Sequence, residues 1–269
     1  KAASGLSARR RSGKACPMSH VESLYRYPVK GLSPEQLSAV TLTPGETFPG
    51  DRAFAVEQGA PQFDADAPRH FPKVKFLMLM RDEKLAALET AFDDATATLT
   101  VRRGGKQVCK AQLSTPMGRG MAEQFFAAYL GTALPGKPRV VTAPGFAFTD
   151  VPQKYISLIN LASVRDIARV AGTPVDPLRF RGNLHVEGLE PWVEKSWTGR
   201  TLAIGPVRAT VAKQIVRCAA TNVNPATAER DMRLPQLLDE AFGANLCGVY
   251  LDVIEGGRIA PGDTLQLID

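Results

Sequence analysis

Residues 201–218 read T-L-A-I-G-P-V-R-A-T-V-A-K-Q-I-V-R-C, and they decide the fold class. Two runs rich in apolar and β-branched residues, 201–204 and 207–216, predict strands, with Gly205-Pro206 between them. Beyond them 219–231 turns polar (A-A-T-N-V-N-P-A-T-A-E-R-D) and predicts a loop leading into a short helix at 234–242. The chain then finishes with a long strand at 246–255, a turn at Glu255-Gly256-Gly257, and a last strand at 264–268 after Pro261-Gly262-Asp263. Upstream, a strand at 155–160 runs into a helix at 161–170 that Ala171-Gly172 stops, and 179–187 predicts another strand.

The first half repeats this grammar. Residues 21–30 (V-E-S-L-Y-R-Y-P-V-K) alternate and predict a strand whose end Pro28 places at an edge or bulge. Strands are expected at 37–43 and 52–57, a short helix at 84–92, and a hairpin of 96–102 and 106–113 about Gly104-Gly105. Apolar residues at helical spacing over 117–130, ended by Gly131, predict a helix. The Pro- and Gly-dense stretch 136–152 marks a boundary, giving an extension at 1–17, a first domain at 18–140 and a second at 141–269. Many short strands with few helices predict a mainly β, α+β protein of barrel-like bodies with peripheral helices.

Composition excludes several functions. With 44% hydrophobic and 22% charged residues over 269 positions, the chain is an ordinary globular protein. No run of about 18 apolar residues exists to form a membrane-spanning helix. The net charge of +6 invites a nucleic-acid reading, but residues 1–17 hold five basic residues and no acid. The remaining chain is nearly neutral, which is not the footprint of a duplex binder. Residues 1–17 read as a disordered extension with Met18 as a start, and their Ser/Arg-rich, acid-free composition also fits a transit peptide. Cys16, Cys109, Cys218 and Cys247 lie far apart with no C-x-x-C, and His20, His70 and His185 are the only histidines. That is neither a disulfide framework nor a zinc site. A reducing, cytoplasmic compartment is expected, with organelle targeting by 1–17 left open.

Cys218, in V-R-C-A-A-T-N-V-N-P-A-T, sits where a strand runs out into a polar loop with Arg217 beside it. A cysteine next to a cation carries a larger thiolate fraction, which suits a nucleophile or a soft-metal ligand; the other reading is a small buried residue. Cys247, in N-L-C-G-V-Y, reads as core, and Cys109 and Cys16 as incidental. Basic residues stand at strand ends: Lys30 in Y-P-V-K-G, Arg52 in P-G-D-R-A-F, and Arg179 and Arg181 in L-R-F-R-G-N. On a strand, Arg179, Arg181 and Asn183 would share one face and offer guanidinium forks to a phosphate; a solvated charged face is the alternative. No G-x-G-x-x-G, P-loop or G-x-S-x-G occurs, so dinucleotide, nucleotide and hydrolase templates have no support.

Taken in order, Y-P-V-K-G, G-D-R-A-F-A-V, L-R-F-R-G-N-L-H-V, R-C-A-A-T-N-V-N-P-A-T, C-G-V-Y and G-R-I-A-P-G-D resemble the MOSC family, the molybdenum-cofactor sulfurase C-terminal domain. The resemblance covers roughly 20–269 and is to the two-part form with an N-terminal β-barrel domain, which includes the amidoxime-reducing component and its bacterial relatives. It implies a molybdenum–pterin cofactor between the two parts, bound through metal by Cys218 and contacted by Lys30, Gly31, Arg52, Arg181, Asn183, Arg217 and Tyr250. It further implies reduction of N-hydroxylated or N-oxygenated small molecules, with electrons from a flavoprotein, ferredoxin or haem protein. Sulfur carriage by a Cys218 persulfide and a non-catalytic cofactor carrier are the rival functions. Pyridoxal phosphate, associated with parent proteins of the family, finds no lysine context here. Gly31 stands where the eukaryotic reductases have Ser, Gly182 where they have Pro, and their Thr-Ser contact finds no counterpart in 151–154.

Overall fold

A computed structural model describes residues 18–268. The expectations for residues 1–17, extension or transit peptide, lie outside the described residues. In chain order the elements are β1 (His20–Arg26), β2 (Glu35–Leu37), β3 (Val40–Leu42), β4 (Ala55–Glu57), β5 (Glu89–Asp93), β6 (Thr98–Arg103) and β7 (Lys106–Gln112). Then follow α1 (Pro116–Leu130), β8 (Arg139–Val141), β9 (Ile156–Asn160), α2 (Leu161–Ala171) and β10 (Leu184–Glu187). The last are β11 (Thr201–Ile204), β12 (Val207–Val216), α3 (Leu234–Phe242), β13 (Leu246–Glu255), β14 (Gly257–Ile259) and β15 (Leu265–Leu267).

The β11–β12 pair anchors an eight-stranded sheet ordered β15-β11-β12-β13-β9-β10-β1-β2. Only β9 and β10 run parallel; every other pair is antiparallel. The sheet curls back on itself, because Leu265 N donates to Ser19 O (2.8 Å) and Val21 N to Asp263 O (2.9 Å), bringing the β15 edge to β1. Alternation turns one residue in two inward, so Val207, Ala209 and Val211 meet Leu202, Leu158, Leu184, Val249 and Leu251 in one buried cluster. Burying each such Val or Leu contributes about 1.5–3 kcal/mol before entropy is counted. A second core gathers Leu99, Val101, Leu113, Ala122 and Phe126 between α1 and the β5-β6-β7 sheet. Strands β3–β14 and β4–β8 form two small pairs. The protein is therefore mainly β with peripheral helices, as its sequence predicts. No helix among the described residues is long and apolar enough to cross a membrane.

The hairpin about Gly104-Gly105 and the helix ending at Gly131 stand where the sequence places them. Five expected elements differ. The helix expected at 84–92 is one 3-10 turn, Glu83–Ala87, followed by strand β5. Five residues are too few for a stable α-helix, and E-T-A-F-D alternates and pairs with β6. The strand expected at 37–43 breaks into β2 and β3, which pair with different partners. The strands expected at 21–30 and 52–57 stop or start short, leaving 27–30 beside 52–54 through the Val29–Phe54 bridge. At 179–187 only β10 is strand; Asp176 Oδ1 caps the Leu178 N–H (2.8 Å) and starts a 3-10 turn, Pro177–Phe180, that ends with Arg181 left-handed at φ 52°. The shared strand face proposed for Arg179, Arg181 and Asn183 therefore does not exist.

Candidate functional site

One end of the large sheet opens into a pocket of about 410 Å³, and β12 leads into it. Its register slips between Val211 and Lys213 and again between Gln214 and Val216, so the strand stops filling the core and begins lining the pocket. Cys218 follows directly. Its carbonyl accepts Thr221 N–H (3.0 Å) and Thr221 Oγ1 (2.9 Å), which fold the loop into a 3-10 turn and hold the half-buried thiol at the pocket wall.

Lys30, Gly31, Arg52, Arg181, Asn183, Arg217, Cys218 and Tyr250 all line this one pocket. They arrive from five separated stretches of chain, and their roles differ. Arg217 is turned inward: Nε donates to Cys247 O (2.8 Å), Nη1 to Phe180 O (2.8 Å), and Nη2 also reaches Cys247 O. It ties the end of β12 to β13 and to the 3-10 turn instead of serving the thiol. The cation near Cys218 is Lys73, whose ammonium is held above the usual lysine range: burial opposes this, and the neighbouring Cys218 outweighs it. Gly248 makes room for the Arg217 clasp; at φ 76° its Cβ would collide with Leu158 O. Cys247 is 1% exposed, and burial pushes its thiol up to about 12, so it is core, as expected.

Asn183 is 2% exposed and largely spent on the scaffold. Its Oδ1 accepts Ser157 N–H (3.1 Å) and Oγ (2.8 Å), while Nδ2 donates to Tyr25 O (3.2 Å), joining β9 to β1. Arg179 turns to Asp231 (2.7 Å) and to the carbonyl of Asn222 (3.2 Å), bracing the loop after Cys218.

Two of the cations share an aromatic platform. The guanidinium carbons of Arg52 and Arg181 lie 4.9 and 4.1 Å from the Tyr27 ring centroid. Arg52 is paired to Asp51, whose other oxygen accepts Tyr27 N–H (2.8 Å); although burial opposes it, Asp51 holds Arg52 above its ordinary range. Among the described residues Arg181 forms no ion pair with a carboxylate, and its enclosed Nη2 has no partner. Burial, with Arg52 adding to it, pulls Arg181 down to about 10. Lys30, 5% exposed, donates to Phe148 O (2.8 Å) and pairs with Asp150. Burial lowers the Lys30 ammonium; burial also works against the Asp150 charge, but Lys30 holds that carboxyl well below its usual range.

Lys73, Asp150, Tyr155 and Lys213 also line the pocket and had no signal in the sequence. Lys73 opens a short 3-10 turn in an otherwise irregular segment, Asp150 lies in the Pro/Gly-rich stretch, and Tyr155 and Lys213 look like ordinary strand residues. At the pocket mouth the Tyr155 and Tyr250 rings are 5.9 Å apart at 33°. Burial pushes the Tyr250 phenol up.

The order of motifs and this pocket have a family counterpart. A model described as the MOSC N-terminal beta barrel domain matches residues 18–133, and one described as the MOSC domain matches 146–266. The chain belongs to the MOSC family. Molybdenum cofactor sulfurase of Anopheles gambiae is 34% identical over 113 residues, 38% of this chain and 14% of its own length. The protein of that name from Caenorhabditis briggsae is 38% identical over 79 residues, 29% of this chain and 11% of its own. The chain thus aligns with a small fraction of those relatives. Among solved structures, YiiM from Geobacillus stearothermophilus is 21% identical, covering 42% of this chain and 54% of its own, with a TM-score of 0.35. The YUAD protein from Bacillus subtilis is 11% identical, covering 92% and 94%, with a TM-score of 0.41.

Proposed function

We propose that the chain binds a molybdenum–pterin cofactor in this pocket and reduces N-hydroxylated or N-oxygenated small molecules with electrons from a separate flavoprotein, ferredoxin or haem protein. One observation carries the reading: a thiol at the wall of a pocket in which Arg181 keeps an enclosed N–H with no partner. A buried donor left unmade is costly, so the site is built for an acceptor that the protein itself does not provide. A phosphate meets that need, and the Arg52–Arg181 pair on Tyr27 offers it a preset pair of forks. Among the described residues no three His, Cys, Asp or Glu side chains converge on a metal-sized point. A metal here would accordingly take its remaining ligands from an organic partner, as a pterin dithiolene provides. The residues present fit the group.

When bound, the cofactor would supply two-electron oxygen-atom abstraction from the N–O group. Cys218 would be its protein ligand through sulfur. Arg181 and Arg52 would hold the anionic end. Lys30 is neutralised by Asp150 and acts as a wall of that end, with Gly31 (φ 86°, its Cβ position 2.7 Å from Leu77 O) allowing close approach of backbone. Lys73 would keep a positive charge beside the Cys218 sulfur. Arg217 and Asn183 position the frame, since their donors are used within it. The matched ranges and the pocket between their residues also support the two-part reading, 18–140 and 141–269.

The sulfurase name of the curated relatives supports sulfur carriage on Cys218 as a second reading. Molybdenum per chain, measured by elemental mass spectrometry on protein from a host that makes the pterin cofactor, tests the first. A near-stoichiometric signal lost in Cys218→Ala is expected. No molybdenum in either protein, with a one-sulfur mass increment on Cys218, overturns it in favour of the second.

A further inference from the structure

Seven cations line the pocket, and five of them are committed. Lys30 pairs with Asp150, Arg52 with Asp51 and Arg179 with Asp231; Arg217 serves two carbonyls and Lys73 the Cys218 sulfur. Two remain, and they occupy different places. Arg181 lies on Tyr27 at the inner end, partly buried, with its Nη2 enclosed. Lys213 is exposed at the mouth, with its ammonium 5.8 and 5.9 Å from the rings of Tyr155 and Tyr250 and with no carboxylate or carbonyl partner among the described residues. If the deep cation takes the cofactor's phosphate, the mouth cation is left for whatever enters after it.

What enters also meets apolar surface. Val216, three residues beyond Lys213 on β12, is 71% exposed at the pocket edge, and Met80 also lines the pocket. The Met80 segment is held still: Arg230 donates to Met80 O (2.9 Å) and Leu79 O (3.2 Å) and pairs with Glu83 (3.0 Å). The mouth therefore offers two tyrosine faces, aliphatic edges and one free ammonium. A cation resting on ring faces is weakly held, so a carboxylate can recruit it without breaking an ion pair.

We propose that the mouth selects substrates with a flat aryl body bearing an anionic group, the anion on Lys213 and the ring against Tyr155, Tyr250 and Val216. This rests on the function proposed above and narrows its substrate class. The test uses loaded protein, reduced methyl viologen as donor, and two substrates of nearly equal shape, 4-carboxybenzamidoxime and 4-carbamoylbenzamidoxime. We expect kcat/KM about tenfold higher for the carboxylate, shrinking as salt rises. Calorimetric titration of oxidised loaded protein should give a matching ratio of Kd, so the inference is read without turnover. Lys213→Met should bring both ratios to about one, and Lys213→Glu should invert them, with molybdenum content as in the unsubstituted protein. Equal binding of the two compounds overturns the inference, as does a preference that survives Lys213→Met and disappears in Arg181→Lys. Bound molybdenum with no turnover of either substrate sinks the reductase reading instead, and the binding ratio still decides the role of Lys213.

Discussion

The two ends of the pocket set a cation on tyrosine in opposite ways. At the deep end Arg181 lies 4.1 Å from the Tyr27 centroid, partly buried, with an enclosed donor left over. At the mouth Lys213 stands nearly 6 Å from two rings and is hydrated. A buried guanidinium without a counter-charge costs folding free energy that a ligand returns on binding. An exposed ammonium costs little and returns little, but it biases which molecule arrives. The same residue chemistry thus yields an anchor at one end and a filter at the other, and burial makes the difference.

That contrast can be broken or sharpened by experiment. The largest effect is expected from Arg217→Met, which leaves the buried carbonyls of Cys247 and Phe180 without donors beneath the deep end. A loss of about 3 kcal/mol should appear as a lower denaturant midpoint. Acid comes next. His185, 3% exposed beside Tyr25, is held down to about 4 by burial, with the Arg217 charge adding to it. Between about pH 6.5 and 4 the unfolded chain takes a proton there that the folded chain refuses. Stability therefore falls as pH drops through that window, by on the order of 2–3 kcal/mol in total. In His185→Gln that part of the slope should vanish from pH-dependent unfolding curves. If it persists, the deep end is more hydrated than its burial implies.

A smaller effect compares the two cations directly. Arg181→Met should stabilise the cofactor-free protein by about 1–2 kcal/mol while lowering molybdenum occupancy. Lys213→Met should shift thermal stability by less than about 0.5 kcal/mol and leave occupancy unchanged. Equal shifts in the two variants would erase the distinction between anchor and filter.

Much of the frame was legible in the sequence. The β6–β7 hairpin, the Gly131 stop of α1, the α2 helix ended by Gly172, and the β11–β12 pair follow from turn chemistry and periodicity. The differences have two causes: pairing with β6 drew Glu89–Asp93 into a sheet, and a local cap at Asp176 bent 177–181 out of the strand pattern. In the site, residue identities were legible and their roles were not. Arg217 stands next to Cys218 in sequence yet serves other carbonyls, and Asn183 faces the pocket while its amide is occupied by Ser157 and Tyr25.

The amino-acid order by itself determined the strands, the turns and the motif residues that gather here, because each depends on φ/ψ preference, side-chain period and neighbours a few positions away. Only the tertiary structure decided which charges are spent and which are free. The Lys30–Asp150 pair closes across 120 residues, and the Lys73 contact with Cys218 spans still more. Such pairings depend on where closure of the sheet puts the chain, and burial then sets their strength, so no local pattern encodes them.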